Sequence, residues 1–289
     1  MAISATMVKD LREKTGAGMM DCKAALTETN GDVEAAIDWL RAKGLSRAAK
    51  KAGRVAAEGL VAVAAQGKHA VMIELNSETD FVARNDEFVA LATLVCRHIA
   101  EDTSLDGVAE VGTDHALLGK HWHHDKAMTL GEVVKAAAAK TGENVQLRRV
   151  ARFASSGTVG FYRHHNGKVA VLAEVTGVTG DVGRGVANTV AEHVAAGVPT
   201  VAVAVRKEDV SPELVERERA IFVEQAKASG KPDNIVEKMV VGRIEKFYSE
   251  VTLLQQPWVR DDSKTVGQLV KETPGAEVAR FARFQMGEA

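Results

Sequence analysis

The amino-acid sequence predicts an α+β protein in which antiparallel sheets and separate helical units follow one another along the chain. Three observations predict this class. Residues 1–45 show helical spacing alone, residues 67–84 recur at 167–184 within β-rich segments, and residues 211–250 form charged amphipathic stretches. We divide the chain into an N-terminal helical domain (1–45), a basic linker helix (46–58), a first core subdomain (59–145), a second core subdomain (146–210 and 251–289) and a helical hairpin (211–250).

The N-terminal domain is predicted to be a bundle of three short helices. Ser4 can cap the first helix, the glycine-rich stretch TGAGMM (15–20) precedes the second, and NGD (30–32) precedes the third. Apolar residues at helical spacing continue to Lys43 and Gly44, where we expect the third helix to end. A three-helix unit of this size resembles the ubiquitin-associated fold, whose exposed apolar loop is commonly a contact surface.

The linker SRAAKKAGRVAAEG (46–59) is basic and rich in alanine. Two interpretations stay open: a solvated linking helix, or a stripe of cations that binds the phosphates of a nucleic acid. No aromatic residue is interleaved to stack on bases, and the formal net charge of the chain is −2, so the linking helix is favoured. The basic residues concerned are Arg41, Lys43, Arg47, Lys50, Lys51 and Arg54.

The core contains an internal repeat. Residues 67–84 (GKHAVMIELNSETDFVAR) align without gaps with 167–184 (GKVAVLAEVTGVTGDVGR) and are identical at eight of eighteen positions, including the pair Glu74 and Glu174. Another β-rich run precedes each copy, so each is predicted to form a hairpin that turns at Gly67 or at Asn166 and Gly167. An amphipathic helix follows each copy. We therefore expect two related subdomains, each a β-hairpin with a helix, and a structural role for the recurring glutamate.

The remaining segments are predicted to be mostly helical. Residues 103–145 read as a loop and one helix, and the loop carries the histidine-rich stretch HALLGKHWHHD (115–125). Such a stretch could bind a metal ion, although no second ligand group at a known spacing accompanies it. Residues 211–250 predict two helices broken at SGKPDN (229–234), which could pack on the core or pair with another chain. The alternation EVARFARFQM (277–286) predicts a last strand.

Catalytic signatures are missing from the sequence. It contains no phosphate-binding loop with its Lys and Ser/Thr, no GxSxG, no HExxH and no GxGxxG after a strand. No apolar run long enough to span a membrane and no secretory leader is evident, and Cys22 and Cys96 stand in no metal or redox spacing. We expect a cytoplasmic protein that is not an enzyme and uses no cofactor.

Phe81 is unusual because a large aromatic residue stands in a polar turn, SETDFVARND (77–86). Spacing alone favours a core position, since Phe81 lies seven residues before Phe88 of the following apolar stripe. The repeat favours another interpretation. The second copy keeps Thr179, Val182 and Arg184 but has Gly180 and Asp181 opposite Asp80 and Phe81. A turn specialised in one copy, with an aromatic residue beside a carboxylate, is typical of a protein–protein hot spot.

Four motifs resemble translation elongation factor Ts, the bacterial and organellar family of guanine-nucleotide exchange factors for elongation factor Tu. They are TGAGMMDCKAAL (15–26), TDFVARND (79–86), SGKPDNIVEKMVVGR (229–243) and SKTVGQLVKE (263–272), and the resemblance extends to about residue 286. It implies a ubiquitin-associated-like N-terminal domain, a core of two subdomains and a helical hairpin that mediates dimerisation in some members. Longer members carry a further C-terminal helical module, and we expect no contact of that kind here.

The resemblance also implies which residues contact elongation factor Tu. The turn Thr79, Asp80, Phe81 and Val82 would meet its GTPase domain, with Asp80 orienting the turn and Phe81 acting as a wedge that disturbs the Mg²⁺ and phosphate site. Further implied contacts are Arg12, Met19 and Met20 in the N-terminal domain, and His164, Met239 and Val240 on the core surface. For Met239, packing inside the hairpin remains an equal alternative.

Functions of other classes stay open at this point. A protein-binding adaptor would depend on Met19 and Met20 rather than on Phe81. An RNA-binding protein would use the basic segment 41–54, and a metal enzyme would use the histidine-rich stretch. Membrane association and direct nucleic-acid binding are not expected, whereas a homodimer through 211–250 is an open possibility.

Overall fold

The computed structural model of the chain describes residues 3–66, 68–228 and 232–288, and it has the predicted α+β architecture. The helices are α1 Ala5–Thr15, α2 Met19–Glu28, α3 Val33–Lys51, α4 Asp80–Ala83, α5 Asp86–Ala100, α6 Leu130–Thr141, α7 Gly180–Ala196, α8 Pro212–Lys227, α9 Asp233–Val251 and α10 Val266–Lys271. The strands are β1 Glu58–Gln66, β2 His69–Ser77, β3 Gly107–Glu110, β4 His121–Trp122, β5 Asp125–Thr129, β6 Gln146–Ala154, β7 Thr158–Arg163, β8 Val169–Thr176, β9 Pro257–Trp258, β10 Asp261–Thr265 and β11 Glu277–Gln285. The expected turn at Gly67 and the residues 229–231 of the expected break lie outside the described ranges.

The N-terminal domain is the predicted three-helix bundle. The Ser4 hydroxyl accepts a hydrogen bond from the Met7 amide at 3.2 Å and so caps α1, and Gly16 ends this helix in the left-handed conformation at φ 66°. The three helices bury one small apolar cluster, formed by Val8, Leu11, Cys22, Ala25, Leu26 and Ala36.

The third helix does not end at Lys43 and Gly44, and that prediction was wrong. α3 runs through Gly44 to Lys51, so residues 46–51 of the expected linker helix (46–58) continue the third helix of the N-terminal domain. The reason is packing against α6, because a Cβ placed at Gly44 would lie 3.2 Å from the Ala139 Cβ. The glycine therefore marks a close helix–helix approach rather than a stop signal. Arg41 adds to this contact through Glu132 of α6, whose Oε2 lies 3.3 Å from its guanidinium, and it also donates to the Ala127 carbonyl of β5 at 2.6 Å.

Two antiparallel sheets form the core, with strand orders β1-β2-β6-β3 and β11-β8-β7. Strands β2 and β8 are central and almost wholly buried, and α5 and α7 cover the corresponding faces of the two sheets. The hairpins β1–β2 and β7–β8 are the two copies of the repeat, so the predicted pair of related hairpin-and-helix units is confirmed.

The boundary between the subdomains differs from the expected one. We assigned 146–154 to the second subdomain, but β6 pairs with β2, with Ile73 opposite Val150 and Glu74 opposite Arg149. The central strand β2 is buried on both faces and needs a partner on each edge, and β6 satisfies the second edge. This pairing supports a division after Ala154. The other limits of the division remain our proposal.

The repeat also organises the contact between the two sheets. In the first, Arg149 Nε lies 2.5 Å from Glu74 Oε2, and its guanidinium stacks on Phe284 of the second sheet at 4.4 Å. In the second, Arg280 Nε lies 2.5 Å from Glu174 Oε2 and stacks on Phe153 of the first sheet at 4.3 Å. The expected structural role of the recurring glutamate is confirmed.

The two copies extend further than the sequence comparison showed. Segment β4–β5–α6 matches β9–β10–α10: Trp122 and Trp258 occupy equal positions, and both helices start with a capping box, at Thr129 and at Thr265. Buried His98 on α5 matches buried His193 on α7. Burial lowers the pKa of His98 to about 4 and holds the pKa of His193 below its ordinary value, so both are neutral core residues near pH 7.

Helices α8 and α9 form the predicted antiparallel hairpin. Ser211 caps α8 through the Leu214 amide at 3.2 Å, and Pro212 occupies the first turn. The facing sides bury Ala226, Val236, Val240 and Ile244, while Ile221, Ile235 and Val241 are exposed. Dimerisation through this hairpin stays a prediction. In the part of the chain that the structure describes, no helix is both long enough and apolar enough to cross a membrane.

Candidate partner-binding site

The turn that contains Phe81 is a single helical turn, α4, set between a buried strand and a long helix. Thr79 caps it with its hydroxyl, which accepts from the Val82 amide at 3.4 Å. Asn85 then starts α5, since its side chain accepts from the amides of Glu87 and Phe88 at 2.9 and 3.4 Å. The chain therefore makes one turn, stops and begins again in a new helix.

Phe81 lies on the outside of this turn and is 83% exposed, whereas Phe88 is 3% exposed. The expectation of a core position, based on spacing, was therefore wrong for Phe81 and holds for Phe88. Val82 packs partly against the first core cluster and Ala83 is buried beneath it, so the turn has an anchored inner side and an open outer side. This arrangement presents an aromatic ring to solvent on a supported backbone.

The repeat shows why the turn projects. In the first copy, Thr79 precedes Ala92 of the buried helix stripe by thirteen positions, whereas in the second Thr179 precedes the matching Ala187 by eight. The second copy accordingly has one continuous helix, α7, from Gly180. The first copy has five additional residues, and these separate α4 from α5. The projecting turn is thus an addition to the shared scaffold.

The role that the resemblance implies for Asp80, orienting the turn against a partner, stays a prediction, but within this chain its side chain holds the turn only weakly. Its carboxylate pairs with Arg84 at 3.0 Å, but the Arg84 side chain is 79% exposed and the Asp80 side chain is 40% exposed. A pair of this kind contributes at most about 0.5 kcal/mol. The Asp80 carboxylate can therefore exchange Arg84 for a partner group at little cost.

The turn is fixed instead by Glu143, which the sequence reasoning did not identify. Its carboxylate accepts from the Thr79 hydroxyl at 2.6 Å, from the Thr79 amide at 3.0 Å and from the Glu78 amide at 3.0 Å. Glu143 follows α6, so a distant part of the first subdomain reaches back to the N-terminal end of α4. No local pattern around residue 143 signals this contact.

In the N-terminal domain, the expected contact residues are on the surface. Met19 and Met20 are the first residues of α2 and are 55% and 74% exposed, and Arg12 is exposed on α1. The preceding turn is held from inside by Cys22, whose thiol donates to the Ala17 carbonyl at 3.7 Å. Two exposed methionines side by side form an adaptable apolar contact surface.

On the core surface, His164 is half-buried at the end of the β7–β8 hairpin. Its Nδ1 lies 2.9 Å from the Tyr162 hydroxyl, and its backbone amide donates to the Val169 carbonyl at 2.9 Å. The hydrogen bond to Tyr162 orients the ring, which remains partly exposed.

The contact expected at Val240 is contradicted by its burial. Val240 is 5% exposed and lies in the core of the helical hairpin, and Met239 is half-buried against the same cluster. Val241, one position further along α9, is 59% exposed. A step of one residue turns a helix by about 100°, so the motif's exposed face is the one that carries Val241. Met239 packs partly in the hairpin and stays partly exposed, so its contact with a partner remains a prediction beside the packing role.

The histidines of the stretch 115–125 make separate local contacts. His115 caps a short helical turn through the Leu117 amide, at 3.2 Å, and His123 lies 3.0 Å from Glu101. Among the residues that the structure describes, no three or more side chains of the metal-ligating types come together. The metal-site hypothesis therefore gains no support from the geometry.

Comparison with known proteins identifies close relatives over the whole chain. The family model described as Elongation factor TS matches residues 78–288. Elongation factor Ts of Brucella anthropi is 48% identical over 301 residues, covering 100% of this chain and 94% of the relative. The proteins of the same name from Alkalilimnicola ehrlichii and Rhizobium meliloti are 46% and 48% identical, each covering 100% of this chain and 93% and 94% of the relative.

Proposed function

Because this chain belongs to the elongation factor Ts family, whose members are translation elongation factors, we propose that it is the guanine-nucleotide exchange factor for elongation factor Tu. In this proposal the chain binds the GDP complex of elongation factor Tu, disturbs the Mg²⁺ and phosphate site of that partner and promotes GDP release. None of these steps makes or breaks a covalent bond.

The observation that carries the proposal is the exposed Phe81 on a clamped turn. A phenylalanine with 83% of its surface in water gains most of its burial energy only when a partner covers it. The Glu143 hydrogen bonds hold the turn before any partner arrives, so little conformational entropy is lost when Phe81 inserts. These are the properties of a wedge between elements of another protein.

The remaining surfaces supply binding without displacement. Met19 and Met20 offer an apolar contact for the GTPase domain of the partner, and His164 offers an oriented polar contact on the core. Several contacts spread over the chain hold the partner while one turn distorts the nucleotide site. On α9 we assign the contact to the face of Val241 rather than to Val240.

Linkage gives this mechanism its energetic content. An exchange factor accelerates GDP release by binding the nucleotide-free partner more tightly than the GDP-bound partner. Nucleotide must then weaken binding of the factor by the same ratio. Loss of Mg²⁺ coordination removes much of the charge neutralisation on the phosphates of GDP, which lowers the affinity of the partner for nucleotide.

The proposal is tested by the release of fluorescent GDP from elongation factor Tu in the presence and absence of this protein. Acceleration that rises with factor concentration and saturates supports the proposal. A release rate equal to that of elongation factor Tu alone would refute it.

The exposed methionines favour one second candidate, a protein-binding adaptor with a ubiquitin-associated-like domain. The adaptor would bind a partner through Met19 and Met20 without releasing nucleotide. Binding to elongation factor Tu that Met20→Ser abolishes, without any acceleration of GDP release, would be the result that favours it.

A further inference from the structure

The turn that carries Phe81 is fastened from behind by two consecutive residues, and we propose that Glu143 and Asn144 are positioning residues for nucleotide exchange. They hold the turn in its projecting conformation and connect it to the end of the N-terminal domain. This inference rests on the proposed exchange function, because it assigns these residues to the action of the same wedge.

Glu143 supplies the tighter half of this clamp. One carboxylate accepts three hydrogen bonds, two from consecutive backbone amides and one from the Thr79 hydroxyl. Hydrogen bonds to a charged acceptor are roughly twice as strong as neutral ones. They fix the residues immediately before α4, and with them the direction in which Phe81 leaves the surface.

Asn144 extends the clamp to the N-terminal domain. The backbone amide of Asn144 donates to Glu78 Oε1 at 2.6 Å, so residues 78–79 and residues 143–144 each donate to and accept from the other pair. Its buried side chain donates to the Arg54 carbonyl at 2.6 Å and to the Ala52 carbonyl at 3.4 Å, directly after α3. The Phe81 turn and the helix that leads from the methionine-bearing domain are therefore held by one residue.

The second copy of the repeat serves as an internal control. The strand registers align Gln146 with Glu277, so Pro274 and Gly275 stand where the first copy has Glu143 and Asn144. Neither side chain there can accept from an amide. Instead the backbones at Gly177 and Gly275 lie against each other, since a Cβ at Gly177 would lie 1.8 Å from the Gly275 carbonyl oxygen.

Thr179, the counterpart of Thr79, likewise makes no side-chain cap. The same sheet and helix thus fold in the second copy without a carboxylate clamp. The clamp occurs in the copy that has the added residues and the exposed aromatic ring. This coincidence points to a role in holding the turn rather than in building the subdomain.

The test compares Glu143→Gln with a matched control, Asp102→Asn, in the full chain. Glutamine keeps the size of the side chain and can still accept from the two amides through its one oxygen, but it removes the negative charge and the second acceptor, the one that the Thr79 hydroxyl uses. Asp102 is a half-buried carboxylate of the same subdomain that also accepts three hydrogen bonds, two from Ser104 and one from Lys120. Each variant is measured for stimulated GDP release from elongation factor Tu and for backbone hydrogen exchange over residues 78–85.

We expect Glu143→Gln to lower the maximal release rate about tenfold, the equivalent of about 1.4 kcal/mol for loss of charged hydrogen bonds. The half-saturating concentration should change by less than about twofold, because the other contact surfaces remain. Hydrogen exchange over 78–85 should accelerate in this variant and not in Asp102→Asn. The double variant Phe81→Ala/Glu143→Gln should be no slower in release than Phe81→Ala, because Glu143 acts through Phe81.

Four results would overturn the inference. Parental release and parental hydrogen exchange in Glu143→Gln would show that the carboxylate does not hold the turn. An equal loss in Asp102→Asn, or full additivity with Phe81→Ala, would show a general structural effect. If the parent protein itself failed to accelerate GDP release, both the proposed function and the role of Glu143 in nucleotide exchange would be refuted. Hydrogen-exchange rates over residues 78–85 would still show whether Glu143 orders the turn.

Discussion

Alanine substitution at Phe81 and at Phe88 distinguishes a residue that contacts a partner from one that stabilises the core. Because Phe81 is 83% exposed, the folded state loses little by its truncation, and we expect the free energy of unfolding to change by less than about 0.5 kcal/mol. Phe88, seven residues later, is 3% exposed in the first core cluster, and Phe88→Ala should cost about 3–5 kcal/mol.

The expected loss of exchange activity follows from the same exposure. A phenylalanine that becomes covered buries roughly 150–200 Å², which at about 25 cal/mol per Å² sets an upper limit of about 4–5 kcal/mol. Measured hot spots begin at about 2 kcal/mol. We therefore expect Phe81→Ala to lower kcat/KM for GDP release by roughly 30-fold to several hundred-fold.

The assay pairs urea unfolding with stimulated GDP release on the same protein preparations. Val182→Ala is the matched control, because Val182 is an exposed apolar residue at the counterpart of the turn in the second copy. It should leave both quantities unchanged. The reasoning is refuted if Phe81→Ala unfolds as easily as Phe88→Ala, or if it releases GDP as fast as the parent protein.

Three further predictions concern the scaffold. Burial lowers the pKa of His98 to about 4, so on acidification the unfolded chain takes up the proton before the folded protein does. The free energy of unfolding should therefore be unaffected by this group above about pH 6.5 and should fall as the pH decreases towards 4. His98→Gln should flatten this part of the pH profile of urea unfolding. Glu74→Gln leaves Arg149 buried without its carboxylate and should cost about 3–5 kcal/mol in urea unfolding, whereas a change below about 1 kcal/mol would contradict that pairing. Val240→Ala should lower the melting temperature with little effect on partner binding, whereas Val241→Ala should weaken partner binding with little effect on the melting temperature. Weakened binding in Val240→Ala and unchanged binding in Val241→Ala would return the contact to Val240.

Sequence patterns predicted most of the helices and the two repeated hairpins, but the segment expected to be a loop and one helix (103–145) also contains the short strands β3, β4 and β5. Apolar spacing predicted the three N-terminal helices and the charged hairpin, and the repeat predicted both β-hairpins. Comparing the two copies also separated Phe81 from the core, where spacing alone favoured the wrong interpretation. A repeat within one chain therefore gives information that periodicity cannot, because it shows what the scaffold needs in both places.

The errors came from contacts between distant parts of the chain. Gly44 looked like a helix stop, but it permits close packing against Ala139, and strand β6 joined the first sheet through a partner far earlier in the sequence. The contact was assigned to Val240 because a motif gives the identity of its residues but not which of them lie on the exposed side of the helix. Glu143 gave no local signal, and only comparison of TGENV (141–145) with TPGA (273–276) could have indicated it.

The most direct test of exchange by a wedge is the affinity of this protein for elongation factor Tu, measured by titration calorimetry without nucleotide and with saturating GDP. The account predicts that GDP weakens binding of the parent protein strongly, and that Phe81→Ala reduces this ratio by lowering affinity mainly for the nucleotide-free partner. Equal affinities with and without GDP, or the same ratio for the parent protein and for Phe81→Ala, would contradict it.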